Sequence, residues 1–256
     1  TEWMGDHNAM LTASDRSRLT KKAVFFPGCY VNDYDPQTGK DLVFMLEKAG
    51  YEVIVPEFEC CGLPMVANGF DDARAAASRN VGTLAALVSS GDVPVLTVCP
   101  SCQLMLKQEY AEYFPELGKH ESIVPHVQDA CEFLIGLIES GELDIDVRED
   151  ATKLVYHAPC HLRAQGIGKP GLDLLRMASA NVEDARSGCC GISGSYGFKK
   201  EKYDVAASVG SDLFKAVKDS AAEYCVTECG TCRLQISHHT KLPSMHPISW
   251  LRKLVK

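Results

Sequence analysis

Ten of the twelve cysteines in this 256-residue chain form two sets of five with the same order. Each set has a single cysteine, then an adjacent pair followed by glycine, then a C-x-x-C motif. The sets are Cys29, Cys60, Cys61, Cys99 and Cys102, and Cys160, Cys189, Cys190, Cys229 and Cys232. The offset is 131 residues from Cys29 to Cys160, 129 from Cys60 to Cys189 and 130 from Cys99 to Cys229. A spacing that repeats in this way indicates a tandem duplication.

Thiolate ligation of metal explains these cysteines better than disulfides do. Disulfide scaffolds are usually small and secreted, and no secretory signal precedes the cysteines. A tetrahedral zinc ion or a cubane iron–sulfur cluster takes four ligands, so five thiols per set are one too many. One thiol is then either spare and redox-active, or it bridges two irons of a non-cubane cluster. Adjacent cysteines favour the second alternative, because neighbouring thiolates can reach different irons.

Two glycines and two histidines are further candidates for cofactor binding. Gly62 and Gly191 follow the cysteine pairs, where they would let the loop bend around a cluster and offer backbone N–H groups to its sulfides. A simple tight turn is the alternative for both. His157 and His161 flank Cys160 and could hydrogen-bond a thiolate or relay a proton, although a structural role is favoured. Cys131 and Cys225 have no counterparts in the other half and are interpreted as core residues.

Short apolar runs that alternate with amphipathic segments predict an α/β fold. Apolar runs such as AVFF, VIV and VLTV read as buried strands, and segments such as GKDLVFMLEKAG read as helices. The second half repeats the scheme, so we expect two tandem duplicated Rossmann-like domains with parallel sheets. The predicted boundaries are a tail or linker at 1–20, a first domain at 21–150 and a second at 151–256. Most of the ten cysteines follow strands, so each domain should hold one metal site at the carboxyl ends of its strands.

Composition narrows the classes of partner. The formal net charge of −8 argues against nucleic acid. No run of about 18 apolar residues would span a membrane, and no signal peptide is evident, so a cytoplasmic location is expected. The chain opens on threonine rather than methionine. We therefore expect a fragment or a processed product.

The repeated pattern resembles the cysteine-rich CCG domain of heterodisulfide reductase and of related oxidoreductase subunits. The segments that carry the resemblance are GCYVNDYDPQTGKDLV, CCGLPMVANGF, LVYHAPCH, CCGISGSYGFKKEKY, VTECGTCRLQI and HPISWL. Within that family they are most similar to the cysteine-rich subunit of anaerobic glycerol-3-phosphate dehydrogenase. The resemblance covers nearly the whole chain from Lys21 onward.

The resemblance implies cofactors and partners as well as a fold. It implies two [4Fe-4S] clusters, cubane or non-cubane, one on each set of five cysteines, with zinc in one site as an alternative. It implies a flavin-containing dehydrogenase subunit as partner, with electrons passing toward quinone. Longer members of the family carry an N-terminal ferredoxin segment that this sequence lacks, so electrons would enter through an iron–sulfur subunit or segment outside it. Peripheral association with the cytoplasmic face of the inner membrane is expected on the same ground.

The sequence therefore predicts an electron-transfer subunit of an oxidoreductase complex that serves a quinone-linked dehydrogenase. One alternative is a heterodisulfide-reductase-type subunit whose cluster cleaves disulfides, and another is a zinc-binding structural module. Disulfide cleavage would need a cavity over the cluster, with its roof formed by loops 63–70 and 192–200. Those loops offer Met65, Phe70, Tyr196 and Phe198, and we expect such bulky side chains to close the sites to solutes.

Overall fold

A computed structural model describes residues 2–70, 72–89 and 91–256 of the chain. The chain separates into two compact units. The first comprises Thr1–Gly62 and Asp71–Asp144, and the second comprises Leu63–Phe70 and Ile145–Lys256. The segment that follows the first CCG motif thus belongs to the second unit. In that unit, the side-chain amide of Asn68 donates to the hydroxyl of Ser195 at 2.6 Å.

The first unit is built on a parallel sheet with the strand order β2-β1-β3-β4. Its strands are β1 (Lys21–Phe25), β2 (Tyr51–Ile54), β3 (Val95–Thr97) and β4 (Val127–Asp129). Val24 pairs with both Ile54 and Val95, which places β1 at the centre. Ala23, Val24 and Phe25 are fully buried, since helices cover both faces of a parallel sheet of this kind.

Helices connect the strands of the first unit. They are α1 (Glu2–Met10), α2 (Ala13–Arg18), α3 (Gly28–Asp33), α4 (Pro36–Lys48), α6 (Asp72–Val88), α7 (Pro100–Leu104), α8 (Tyr110–Tyr113), α9 (His120–Ile123) and α10 (Ala130–Glu139), while α5 (Leu63–Val66) lies in the second unit. A π-helical turn at Met105–Glu109 joins α7 to α8, and a 3₁₀ turn at Val124–His126 precedes β4. Local sequence explains where α4 begins, because Asp35 caps it and Pro36 occupies its first turn.

The second unit repeats the architecture with the strand order β6-β5-β7-β8. Its strands are β5 (Leu154–Tyr156), β6 (Val182–Asp184), β7 (Tyr224–Val226) and β8 (Ser244–Met245), all parallel. Its other helices are α11 (Cys160–Ala164), α12 (Pro170–Met177), α13 (Tyr203–Asp219), α14 (Gly230–Thr240) and α15 (Pro247–Leu254), with 3₁₀ turns at Tyr196–Phe198 and Lys200–Lys202. The predicted α/β fold with two duplicated parallel-sheet domains is confirmed.

The structure adds elements that the sequence did not predict. The segment at 1–20, expected to be a tail or linker, carries α1 and α2 within its described residues. Met4 is buried, and the Trp3 ring packs so closely on Gly39 that an added β-carbon there would lie 2.8 Å from it. The edge strands β4 and β8, of three and two residues, were also not predicted. Among the described residues, no helix is both long enough and apolar enough to cross a lipid bilayer.

Asp129, at the end of β4, makes the stability of the first unit depend on pH. Its Oδ1 accepts the backbone N–H groups of Cys131 and Glu132 at 2.8 and 3.1 Å and so caps α10. Burial raises the pKa of this carboxyl to about 7 in spite of those two donors. Because the folded-state pKa lies above the ordinary value of 3.8, its favourable contribution is complete below about pH 4 and is lost as the pH rises through about 7.

Asp129→Asn keeps the cap but does not ionise. We therefore predict that its stability relative to the unchanged protein increases when the pH is raised from about 5 to about 8. The gain should be on the order of 2 kcal/mol, which corresponds to a shift in the melting temperature of about 5 °C for a protein of this size. Thermal melts at the two pH values measure it. The matched control is Asp144→Asn, which makes the same change at an exposed carboxyl. A pH-independent effect of Asp129→Asn would contradict the assignment.

Candidate metal centres

The five cysteines of the first set follow three neighbouring strands of one sheet. Cys29 lies in the first turn of α3 after β1, Cys60 and Cys61 lie in the loop after β2, and Cys99 is the N-cap residue of α7 after β3. Cys102 lies inside α7. The carboxyl ends of parallel strands meet at one edge, so residues distant in sequence come together there.

The first-set thiols form a continuous row by pairwise contact. The Sγ atoms of Cys29 and Cys60 are 3.6 Å apart. Cys60 is also hydrogen-bonded to the side chain of Cys61, its neighbour in sequence. The Cys102 thiol in turn contacts those of Cys61 and Cys99. The order along the row is therefore 29, 60, 61, 102 and 99.

The second set forms a row with the same order. Cys160 opens α11 after β5, the adjacent pair lies in the loop after β6, and Cys229 caps α14 after β7. The contacts run from Cys160 to Cys189, on to Cys190, then to Cys232 and finally to Cys229. The Sγ atoms of Cys190 and Cys232 are 3.0 Å apart. All ten predicted cysteines are thus brought together in two equivalent groups of five.

The protons of each row are unevenly shared. The pKa of Cys60 is lowered to about 3, first by its hydrogen bond to Cys29 and then by that to Cys61. The pKa of Cys189 is lowered to about 2 by Cys160 and Cys190 in the same way. The hydrogen bond between Cys29 and Cys60 in turn raises the pKa of Cys29. Thiols in contact cannot all ionise unless positive charge compensates them, since each thiolate disfavours the next.

This donor set fits an iron–sulfur centre. The thiols lie in a row of five, and sulfur is the ligand atom that iron–sulfur clusters require. Several ferric or ferrous ions would supply the charge that five thiolates need.

The two CCG glycines shape the loops that carry the cysteine pairs. Gly62 and Gly191 have φ values of +90° and +84°, which disfavour any residue with a side chain. The N–H group of Gly191 donates to the Sγ of Cys189 at 3.3 Å, and that of Gly62 donates to Cys60. Both glycines therefore form a tight turn and donate to the first cysteine of each pair, and their role in binding a cofactor stays a prediction.

Buried polar side chains brace the first site, and the sequence analysis missed them. Asn80 on α6 accepts the N–H of Glu59 at 2.9 Å and donates to the carbonyl of Cys60 at 3.2 Å. The Tyr110 hydroxyl donates to the carbonyl of Cys61 at 2.9 Å. A polar residue on the buried face of a helix was the only signal in the sequence for Asn80.

The second site has a buried carboxyl group in place of an apolar residue. Glu228 directly precedes Cys229, at the position that Val98 holds before Cys99. Its Oε1 accepts the hydroxyl of Tyr156 at 2.8 Å and the N–H of Gly171 at 3.1 Å. These bonds tie the end of β7 to β5 and to the first turn of α12.

The two predicted histidines lie at the second site. Burial lowers the pKa of His157 to about 4, and burial also lowers the pKa of His161. Both rings are close enough to Cys189 to interact with its charge. Both are therefore neutral near pH 7, and a proton-relay role for either stays a prediction.

The two cysteines outside the rows lie in the core. Cys131 and Cys225 are fully buried, in α10 and β7, so their interpretation as core residues is confirmed.

The expectation of closed sites is wrong for the first site, where a cavity of about 850 Å³ opens on Cys29 and Cys60. Its walls come from residues 27–33, 56–60 and 78–83 and not from the predicted roof loops, because α6 runs past the thiols while 63–70 packs in the second unit.

An α/β unit with a row of five thiols at the carboxyl edge of its parallel sheet, present twice, defines a class of tandem metal-binding domain. The family model described as a cysteine-rich domain, CCG, matches residues 23–107 and 154–237, which is most of the chain. The chain therefore belongs to the CCG cysteine-rich domain family and carries two copies of the domain.

Curated relatives share both copies. The chain is 36% identical over 242 residues to a subunit of the anaerobic glycerol-3-phosphate dehydrogenase of Escherichia coli, covering 93% of this chain and 60% of the relative. It is 32% identical over 224 residues to a subunit of the fumarate reductase (CoM/CoB) of Methanothermobacter marburgensis, covering 83% of this chain and 41% of the relative. The chain thus spans between two fifths and three fifths of the length of these relatives.

A solved structure supports the fold alone. A hypothetical protein from Helicobacter pylori superposes with a TM-score of 0.55 at 14% identity, over 92% of this chain and 49% of that one.

The close packing around Gly191 yields a testable consequence. A β-carbon at Gly191 would lie 2.0 Å from the backbone carbonyl oxygen of Ala206 on α13, in addition to the strain of its positive φ. We predict that Gly191→Ala displaces the Cys189–Cys190 loop and loses the iron and sulfide of the second site. Both are measured per chain after anaerobic reconstitution.

The matched control lies three residues away in the same loop. A β-carbon at Gly188 meets nothing within 4 Å, so Gly188→Ala should bind as much iron as the unchanged protein. Circular dichroism distinguishes local loss from unfolding. Undiminished iron in Gly191→Ala would show that the glycine does not shape the site.

Proposed function

We propose that this protein is an iron–sulfur electron-transfer subunit of a dehydrogenase complex that delivers electrons to quinone. The observation that carries the proposal is the pair of thiol rows, each with five sulfurs in contact at the carboxyl edge of a parallel sheet. Family membership supports it, and so do relatives that are named as subunits of a dehydrogenase and a reductase.

Each row would hold one iron–sulfur centre of the non-cubane type. The ligands would be Cys29, Cys60, Cys61, Cys99 and Cys102 in the first unit, and Cys160, Cys189, Cys190, Cys229 and Cys232 in the second. Such a centre, when bound, supplies reversible one-electron storage. The residues around it would hold the thiolates in place, donate N–H groups to them from Gly62 and Gly191, and exclude water from the buried sulfurs of each row.

The partners follow from that role. A flavin-containing dehydrogenase subunit would supply the electrons, through an iron–sulfur subunit or segment, and a quinone would receive them. The similarity to a glycerol-3-phosphate dehydrogenase subunit makes that enzyme type the first candidate for the complex. A cytoplasmic location with peripheral attachment to the inner face of the membrane belongs to the same proposal.

A disulfide-cleaving subunit is the second candidate, and the cavity beside Cys29 and Cys60 is the observation that favours it. Disulfide cleavage needs space for two sulfur atoms next to the site. Turnover of small disulfides by reduced protein, set against electron delivery to a quinone, separates the candidates. Rapid disulfide turnover without quinone reduction, measured with the partner dehydrogenase present, would overturn the first proposal.

Metal analysis tests the cofactor assignment. We predict that anaerobically purified protein is brown and contains several irons per chain with matching acid-labile sulfide. Cys60→Ser with Cys61→Ser should remove the iron and sulfide of the first unit only, and Cys189→Ser with Cys190→Ser those of the second, because each unit has its own core. The purification is anaerobic because thiolate-bound clusters are readily lost to oxidation.

The chain offers matched controls in its two other cysteines. Cys131→Ala and Cys225→Ala remove buried thiols that lie outside the rows, so both variants should keep their full iron and sulfide. Stoichiometric zinc without sulfide would identify a zinc-binding structural module instead. Loss of both centres in either double variant would show that the rows act as one site.

A further inference from the structure

The cavity of the first unit reaches only one end of its thiol row. It has a volume of about 850 Å³, and every described residue that lines it belongs to the first unit. Cys29 is exposed and Cys60 half-buried at this end, whereas Cys61, Cys99 and Cys102 do not line the cavity. Pockets for small organic ligands have volumes of about 300–1,000 Å³. A molecule of that size could therefore approach the Cys29 and Cys60 sulfurs directly.

The charge of the cavity wall disfavours anions. Asp33, Glu57 and Glu59 line it, and Arg79 is the one basic residue among its described lining residues. Arg79 is already engaged, since its Nε lies 3.1 Å from Oε1 of Glu59. The other two carboxylates have no basic partner in that described lining, and thiolate sulfurs add negative charge beside them. Repulsion at this range is only partly screened at physiological ionic strength.

One side of the wall fits a flat, neutral ring with oxygen substituents. The Phe58 ring is held against Phe26, with the ring centroids 4.7 Å apart, and it forms an apolar side of the cavity with Pro27 and Pro56. On α6, the Thr83 hydroxyl makes no hydrogen bond within the described part of the chain and can donate one. The cavity thus has one apolar side, formed by Phe58 and the two prolines, within a lining that is otherwise mostly polar.

We propose that this cavity binds a neutral, quinone-class ring beside Cys29 and Cys60 and discriminates against anionic rings. Its role as the acceptor site rests on the electron-transfer function proposed above. Reduction of a quinone to the hydroquinone takes two electrons and two protons. The electrons originate from the reduced flavin of the dehydrogenase subunit, and the protons come from water in the open cavity.

Two probes with the same ring system test the binding. They are 2-(hydroxymethyl)-9,10-anthraquinone, which is neutral, and 9,10-anthraquinone-2-sulfonate, which is anionic. Neither has a free quinone-ring position for addition of a thiol. Equilibrium dialysis against the oxidised, cluster-loaded protein gives both affinities without any turnover. We expect the neutral probe to bind at least about tenfold more tightly, a difference of about 1.4 kcal/mol.

Two variants, each with a matched control, test whether the ring binds in the cavity. Thr83→Phe fills the space next to α6 and should weaken binding of the neutral probe about tenfold or more. Ala75→Phe adds the same group on the exposed face of α6, outside the lining, and should leave binding unchanged. Glu57→Lys should strengthen binding of the sulfonate several-fold, whereas Glu121→Lys, an equal charge change at an exposed position outside the lining, should not.

The outcomes separate this inference from the function on which it rests. Equal affinities for the two probes, or affinities that Thr83→Phe leaves unchanged, overturn the cavity as a quinone-class site. Reoxidation of dithionite-reduced protein by the neutral probe is followed in parallel. If reoxidation is as fast in Thr83→Phe as in the unchanged protein, the electron-transfer function stands and the cavity is not its acceptor site. If the neutral probe binds with the expected sensitivities but does not reoxidise the protein, the binding site stands and its role as acceptor fails.

Discussion

Mutual repulsion among five packed thiolates is the constraint on which each unit depends. Hydrogen bonds between neighbouring sulfurs lower the pKa of Cys60 and Cys189 and raise that of Cys29 and Cys160, so a row without metal keeps some thiols protonated. Each pKa unit corresponds to about 1.4 kcal/mol. Cations that replace those protons would relieve the repulsion among the sulfurs that the fold holds together. This is the usual coupling of metal binding to protonation and folding.

Both units hold five thiols together on the same scaffold, but different polar side chains surround the two sites. The parallel sheet brings three strand ends together in both units, and a glycine with positive φ aims an N–H at the first cysteine of each pair. The first site adds Asn80 and Tyr110, which hold the carbonyl groups of the cysteine pair. The second adds Glu228, which joins the strand end before Cys229 to neighbouring elements. A duplicated site has thus acquired two polar environments, and these environments tune the properties of bound metal.

The sequence predicted best those features in which chemistry fixes the spacing between residues. The offsets between the cysteine sets predicted both thiol groups, and the alternation of apolar runs with helical segments predicted the parallel sheets. The strands β4 and β8 were missed because two or three residues are too few to show a period. The helices α1 and α2 were missed because their residues are mostly polar. The packing of Trp3 and the burial of Met4 depend on tertiary contacts, which a local sequence pattern does not show. The cavity could not be predicted either, since its walls come from three separated segments and the segment 63–70 belongs to the second unit.

The burial of each row bears on the proposed electron transfer. Cys29 is exposed, Cys60 and Cys99 are half-buried, and Cys61 and Cys102 are buried, so the first row has its accessible end at Cys29 and its buried sulfurs in the middle. In the second row, Cys190, Cys229 and Cys232 belong to a core cluster with Val155 and Phe214, while Cys160 and Cys189 remain partly accessible. A partly buried site excludes water from its buried sulfurs and limits the rearrangement that accompanies a change of charge. The accessible end allows contact with a partner or a small acceptor. Both properties follow from one geometric fact, which is that the single cysteine and the first member of the pair lie at the outer end of the row.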